Sequence, residues 1–310
     1  MCPGTPGAHS KTQNMFTLNI HGSLREFNGP AVMGILNATP DSFYAGSRAQ
    51  TEAEIAARAA LLVSEGADFI DVGAFSTRPG ASEVSEQEEC ERLEKAVRIT
   101  RAVAPNSIIS VDTFRASVAR KAVEEWGADI INDVSGGNLD PEMFDTVAEL
   151  KVPYILMHMR GSVADMMEYT DYEMVTRDVL SELGDRVQQL ALLGVNDVII
   201  DPGFGFSKTL EQNYQLLHDL KLFELFHRPV LVGFSRKSMV TKLLGVPAED
   251  ALNGTTVLNT LALDRGASIL RVHDVKAARQ AIAIFNSMQD AQCKMYNAQC
   301  TMHNCDGGTR

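Results

Sequence analysis

Short apolar, β-branched-rich runs of strand length alternate along this chain with longer amphipathic stretches of helical period, and a chain so patterned has few folds open to it. The runs are Val32–Leu36, Phe69–Val72, Ile108–Val111, Asp129–Asn132, Tyr154–His158, Val198–Asp201, Val230–Phe234 and Ile269–Val272. The stretches Glu52–Glu65, Glu86–Val103, Ala116–Trp126, Glu142–Leu150, Tyr172–Leu193, Leu210–Leu220, Leu252–Asp264 and Val275–Ser287 read as helices. Gly66-Ala67-Asp68, Gly127-Ala128-Asp129 and Gly266-Ala267-Ser268 recur just ahead of strands. Such a glycine stops a helix in the left-handed conformation, and the next strand begins at once.

Strands apolar along their whole length belong in a parallel sheet covered by helices. Eight strand–helix units of about 30 residues fit a (β/α)8 TIM barrel of roughly 250 residues. The rival is a doubly wound open sheet. The barrel is favoured because unusual polar residues follow nearly every strand, whereas an open sheet gathers them near one switch point. Ahead of the barrel, Met15–Ile20 and Ser23–Phe27 around His21-Gly22 read as an N-terminal β-hairpin placed to plug its bottom. The expected organisation is a flexible N-terminus (1–14), a hairpin-plus-barrel domain (15–287) and a disordered tail (288–310) without usable periodicity.

Forty acidic residues against 28 basic ones give a net charge of −12, which argues against a surface built for nucleic acid or anionic lipid. An anionic ligand must then be met by a local cluster of cations. Of five cysteines only Cys2 and Cys90 precede residue 290, a pattern of reducing compartments. No apolar run nears the ~18 residues of a membrane span, and residues 1–14 carry Pro, Gly and polar residues where a signal peptide needs an apolar segment. A cytoplasmic protein is expected.

Polar residues end the apolar runs one after another: Asn37, Asp71, Asp112-Thr113, Asn132-Asp133, His158 and Arg160, Asp201, Ser235-Arg236-Lys237, then Arg271 and His273. A barrel places its active site at these strand ends. Any one Asp alone is equally a helix cap, and Lys237 alone a solvated lysine. Capping, however, does not require Asn, Asp, Lys, Arg and His to converge on one rim. Asp112, Asn132 and Asp201 offer acceptors and an amide to a ligand edge rich in N–H groups. Asn37, Arg271 and His273 become neighbours on barrel closure and form an anion site. Ser235 and Lys237 open a helix, where N–H groups and the dipole also favour an anion. Two glycine-rich loops, Asn37–Gly46 and Gly73–Gly80, have the length of lids. Phe43, Tyr44, Phe204 and Phe206 offer aromatic surface to a planar ligand, although helix packing serves Phe204 better.

The segments GILNATPDSF (34–43), STRPG (76–80), SVDTF (110–114), INDVSGG (131–137), LMHMRG (156–161), DPGFGFSK (201–208), GFSRKS (233–238) and RVHDV (271–275) together resemble the motif set of the dihydropteroate synthase family, in order and with suitable spacing. The resemblance implies a folate-pathway transferase that joins 4-aminobenzoate to 6-hydroxymethyl-7,8-dihydropterin diphosphate and releases pyrophosphate. It implies that Asp112, Asn132, Asp201 and Lys237 hold the pterin with Met157 against its ring. Asn37, Arg271 and His273 would bind the diphosphate, Asn37 also as a ligand of Mg2+. Phe43, Thr77, Arg78, Pro79, Phe206 and Ser235 would form the 4-aminobenzoate pocket. Asp112, Lys237 and Arg271 are the catalytic candidates; sulfonamides are implied as inhibitors and a homodimer as the assembly. Two departures bear on the lids: Ala74-Phe75 replaces the family's Gly-Glu, and Tyr44-Ala45-Gly46 stands where a second Asp is common.

Two other readings remain: a pterin-binding methyltransferase, against which Ser235-Arg236-Lys237 and the STRPG segment speak, and a metal-dependent hydrolase using His158, Asp201 and His273, which lacks a His-x-His pair. In the tail, Cys293, Cys300, His303 and Cys305 have donor types that suit zinc but lack a C-x2-C unit, so no metal site is expected there.

Overall fold

The computed structural model describes residues 15–38, 51–74 and 84–305. Strands β1 (Phe16–Ile20) and β2 (Ser23–Phe27) form the expected antiparallel hairpin. Eight parallel strands follow: β3 (Ala31–Asn37), β4 (Phe69–Gly73), β5 (Ile108–Asp112), β6 (Ile130–Asp133), β7 (Tyr154–Met157), β8 (Val198–Asp201), β9 (Leu231–Val232) and β10 (Ile269–Val272). Each pairs with its neighbour from β3 to β8, and β10 pairs with both β3 and β9. A parallel bridge from Ile200 to Val230 joins β8 to β9 and brings the sheet round into a barrel, so the open sheet is ruled out. β9 is shorter than its apolar run because the Phe234 carbonyl already accepts the Lys237 N–H in a turn.

Helices α1 (Glu52–Ser64), α2 (Glu86–Val103), α3 (Ala116–Lys121), α4 (Met143–Leu150), α5 (Val175–Leu192), α6 (Leu210–His218), α7 (Ser238–Leu244), α8 (Leu252–Asp264) and α9 (Val275–Cys305) connect or follow the strands. The seven residues of α7 are too few to display a period. α3 passes into one π-helical segment, Ala122–Trp126, stopped by Gly127 at φ 84°. α9 continues past Ser287, where its apolar period fades; residues 288–305 contain neither Gly nor Pro, and extending an existing helix is far easier than nucleating one.

The hairpin closes the barrel's bottom. Leu18 and Ile20 join Met33, Phe69, Ile130, Ile155, Ile199, Leu231 and Ile269 in one buried cluster, each such side chain contributing about 1.5–3 kcal/mol. Phe27 stacks on Phe16 at 4.5 Å and on Phe69 at 5.0 Å between ring centroids. The recurrent Gly-Ala-Asp triplets also work at this end. Asp68 Oδ2 accepts the Val32 N–H at 2.7 Å, and Asp129 Oδ2 accepts the Ile109 N–H at 2.7 Å and Arg101 at 2.6 Å. Each aspartate thereby satisfies a strand N–H that lies at the barrel's lower rim. His21 of the hairpin turn reaches Asp129 Oδ1 at 2.8 Å.

Replacing Asp129 with Ala leaves the Ile109 N–H without its acceptor, and urea denaturation is expected to show a loss of about 2 kcal/mol. Because Asp129 sits at the end opposite the polar rim, ligand binding below the unfolding transition should be unchanged; stability equal to wild type would contradict this role.

Candidate functional site

Strand register gathers the polar residues at the C-terminal rim. Asn37, Gly73, Asp112 and Asn132 are successive register partners across β3, β4, β5 and β6. Side chains of paired parallel residues share a face, so this row presents an amide, a gap, a carboxylate and an amide. Met157 and Asp201 are partners on β7 and β8. Two residues below Gly73, Asp71 is fully buried in β4.

Arg271 on β10 reaches across the mouth of the barrel. Its Nε donates to Asp71 Oδ2 at 2.7 Å and its Nη2 to Asp112 Oδ2 at 3.0 Å. Asn132 Nδ2 donates to both Asp71 oxygens at 3.3 and 3.2 Å. Asp71 is thus the anchor that orients Arg271, Asp112 and Asn132 together. From the sequence Asp71 belongs to the rim without an assigned role; its signal is a carboxylate within an apolar strand.

Charge is balanced tightly here. Burial pushes the Asp112 carboxyl up to about 7, against the pull of Arg271. Burial lowers the Lys237 ammonium to about 8, although Asp201 opposes it, and raises Asp201 despite Lys237. For Arg271 burial disfavours the charge, but Asp71 and Asp112 outweigh it and hold its pKa above the ordinary value. Lys237 is no solvated lysine. Its Nζ donates to the Phe204 carbonyl at 2.8 Å and lies 4.5 Å from the centre of the Phe206 ring.

The turn carrying Ser235 and Lys237 is forced by Arg236, which adopts a left-handed φ of 58°. Its buried guanidinium donates to both Asp274 oxygens, at 3.0 and 2.9 Å, and to the carbonyls of Ala248 and Glu249. Those bonds offset the strain of a non-glycine residue in that region. Ser235 Oγ accepts the His273 N–H at 3.2 Å and lies 2.8 Å from His273 Nδ1. Burial, then Arg271, keep the His273 ring well below its ordinary pKa, so it is neutral.

Met157 and Phe206 share an apolar cluster with Val134, Met159, Val163 and Met166, a wall suited to a planar ligand. Phe204 is buried, as a packing role requires, but its ring partner is Phe234 just past β9, at 4.6 Å between centroids, rather than a helix residue. Asp201 Oδ1 accepts the Gly203 N–H at 2.8 Å. A Cβ on Gly203 would lie 1.9 Å from the His158 carbonyl oxygen, so the loop requires glycine there.

Other rim residues serve the scaffold. His158 is buried, with Nδ1 3.0 Å from Lys208 Nζ and Nε2 3.0 Å from Glu182, which also binds Arg160. This pairing draws it away from any set with Asp201 and His273. Asp133 accepts the Tyr154 hydroxyl at 2.6 Å and the N–H groups of Ser135 and Gly137. Thr113 donates to Glu89. Phe43, Thr77, Arg78 and Pro79, with most of both expected lids, lie outside the described residues, as do the side chains of Cys293, Cys300, His303 and Cys305.

For a divalent cation the donor types matter. Asn37 Oδ1 and Asp112 Oδ2 flank the space above Gly73, lying 3.6 and 3.8 Å from where its Cβ would be. Hard oxygen donors fit Mg2+, which commonly takes one or two protein oxygens and completes its shell with phosphate oxygens and water. Among the described residues no three His, Cys, Asp or Glu side chains group as a metal cage.

The family described as "Pterin binding enzyme" matches residues 33–273. A folate synthesis bifunctional protein of Arabidopsis thaliana is 40% identical over 279 residues, covering 85% of this chain and 57% of that protein; the chain thus spans little more than half of that relative. A dihydropteroate synthase of Streptococcus pyogenes is 41% identical over 264 residues, covering 83% of this chain and 95% of that one. The structure of Xanthomonas albilineans dihydropteroate synthase with 4-aminobenzoic acid superposes with a TM-score of 0.80 at 38% identity, covering 88% of this chain and 98% of that one. With the motif residues gathered at one rim and similarity running through nearly the whole barrel, the chain belongs to the pterin-binding enzyme family, alongside the dihydropteroate synthases.

Proposed function

We propose that the protein condenses 6-hydroxymethyl-7,8-dihydropterin diphosphate with 4-aminobenzoate, giving 7,8-dihydropteroate and pyrophosphate. The observation that carries this is the cluster of Arg271, Asp71, Asp112 and Asn132, faced by Asp201 and Lys237, in the mouth of the barrel.

The pterin's amino and ring N–H groups would meet the carboxylates of Asp112 and Asp201 and the Asn132 amide, with Lys237 donating to a ring acceptor and Met157 against the ring face. Arg271, His273 and Asn37 would hold the diphosphate. Arg271 commits Nε and Nη2 to Asp71 and Asp112, so its remaining donors serve the leaving group without loss of orientation. Mg2+, when bound at Asn37 and the diphosphate, would supply further neutralisation of the leaving charge.

The C–O bond to the diphosphate breaks first and its electron pair departs on oxygen. The electron-poor pterin methylene is stabilised by the Asp112 carboxylate in a site sheltered from water. The arylamine nitrogen then forms the new C–N bond and loses a proton to solvent or to the released pyrophosphate. Phe206 and Ser235, with Phe43, Thr77, Arg78 and Pro79, would shape the acceptor pocket, where a sulfonamide would compete with 4-aminobenzoate.

A homodimer and a cytoplasmic setting belong to the same proposal. Exposed apolar residues on α7 (Leu243, Leu244), α8 (Val257, Leu261) and α9 (Ile284, Met288) support a pairing surface on the late helices. Among the described residues no helix is long and apolar enough to cross a membrane.

Incubation with Mg2+, the pterin diphosphate and 4-aminobenzoate should yield dihydropteroate; no product above background would overturn the proposal. Lys237→Ala and Asp112→Ala should each lower kcat/KM by roughly 100-fold or more while leaving folding largely intact. Asp112 must be anionic and Lys237 cationic, so kcat/KM should fall as pH drops below about 7 and as it rises above about 8. An acid limb that persists in Asp112→Asn would show that another group carries it.

A further inference from the structure

The β3–β10 ladder ends at the pair Gly34 and Val272. The next register position, Ile35 opposite His273, is spanned by a side chain instead. Arg58 of α1 donates from Nε and Nη2 to the Ile35 carbonyl at 3.3 and 3.1 Å, and from Nη2 to the His273 carbonyl at 2.7 Å. Arg58 is buried on the face of α1 that also carries Ile55, Ala59 and Leu62. Gly34 eases the reach: a Cβ there would lie 2.7 Å from Leu62 Cδ2 and 3.1 Å from Val275 Cγ2, so a larger residue would make these side chains give way where α1 packs on β3.

We propose that Arg58 is a positioning residue for the diphosphate, an inference that rests on the transferase reading above. Asn37 lies two residues beyond one bridged carbonyl, and His273 owns the other. Where the ladder stops, two parallel strands are free to splay. The guanidinium fork sets the spacing of β3 and β10 at the level where Asn37 and His273 must both reach one anion. Ser235 fixes the His273 ring and its N–H from the opposite side, so Arg58 and Ser235 together hold this residue by backbone and ring. Arg58 also adds positive charge beneath the anion site, and it is among the cations that hold the His273 ring neutral.

A role confined to the diphosphate separates two ligands that each carry one half of the pterin diphosphate. Calorimetric titration of the full-length protein with pyrophosphate plus Mg2+, and separately with unphosphorylated 6-hydroxymethyl-7,8-dihydropterin, tests it. Arg58→Met should weaken pyrophosphate binding and raise the KM for the pterin diphosphate by about tenfold, as expected for loss of charge-assisted hydrogen bonds. Binding of the unphosphorylated pterin should stay within about twofold, because Asp112, Asn132 and Asp201 stand on β5, β6 and β8. Arg58→Lys retains the charge without the fork and should fall in between, about threefold weaker for pyrophosphate; it carries the test if the methionine variant does not fold. Wild-type pyrophosphate affinity in either variant, or equal loss of both ligands, would overturn the inference. A wild-type protein that binds neither ligand would instead refute the transferase reading.

Discussion

A carboxylate buried completely in a barrel strand is tolerated only when its charge is met at once, and Asp71 meets that condition through Arg271 and Asn132. Breaking such a pair from one side costs about 3–5 kcal/mol, because the remaining charge has no water to turn to. The cost gives the pair its organising force. Arg271 cannot leave Asp71 cheaply, so Nη2 stays beside Asp112, and Asn132 stays turned inward. Three residues from β5, β6 and β10 are thereby oriented before any ligand arrives, which is the preorganisation that charge stabilisation requires.

Around this centre lies a second set of bonds from side chains that need not touch a ligand. Arg236 holds a left-handed turn between Ser235 and Lys237, with its guanidinium against Asp274. Lys208, with a pKa lowered to about 7 by burial, binds the Gly203 and Phe206 carbonyls and so shapes the loop that carries Phe206 and supports Lys237. Arg58 bridges β3 and β10. In each case a buried nitrogen-bearing head donates to backbone carbonyls. A multi-donor head can fix several carbonyls of an irregular segment at once, where no ladder is available to do so.

Much of the barrel was legible because continuous apolar strands and amphipathic helices have different periods, and seven of the predicted strands match observed ones to within a residue or so at either end. The exceptions have local causes: β9 is cut short by a turn, α7 is too short for a period, and α9 outlasts its apolar stripe. The candidate residues of the site were likewise visible, since a strand entering a core has no use for a terminal Asp, Asn or Arg. Asp112, Asn132, Asp201 and Arg271 were found that way. What that rule does not supply is rank: Asp133 stands at a strand end like Asn132 beside it, yet it binds Tyr154 and two backbone N–H groups.

By itself, then, the sequence determined the order of strands and helices, the barrel class and the set of polar residues that end the strands, because these follow from local periodicity and chain order. The tertiary structure alone decided which of those residues meet. Register put Asn37, Asp112 and Asn132 in one row, closure brought Arg271 to Asp71 across 200 residues of chain, and the close approach of α1 to Gly34 brought Arg58 to the strand ends. Each is a long-range contact, fixed by the packing of distant segments and carrying no signature in the local sequence.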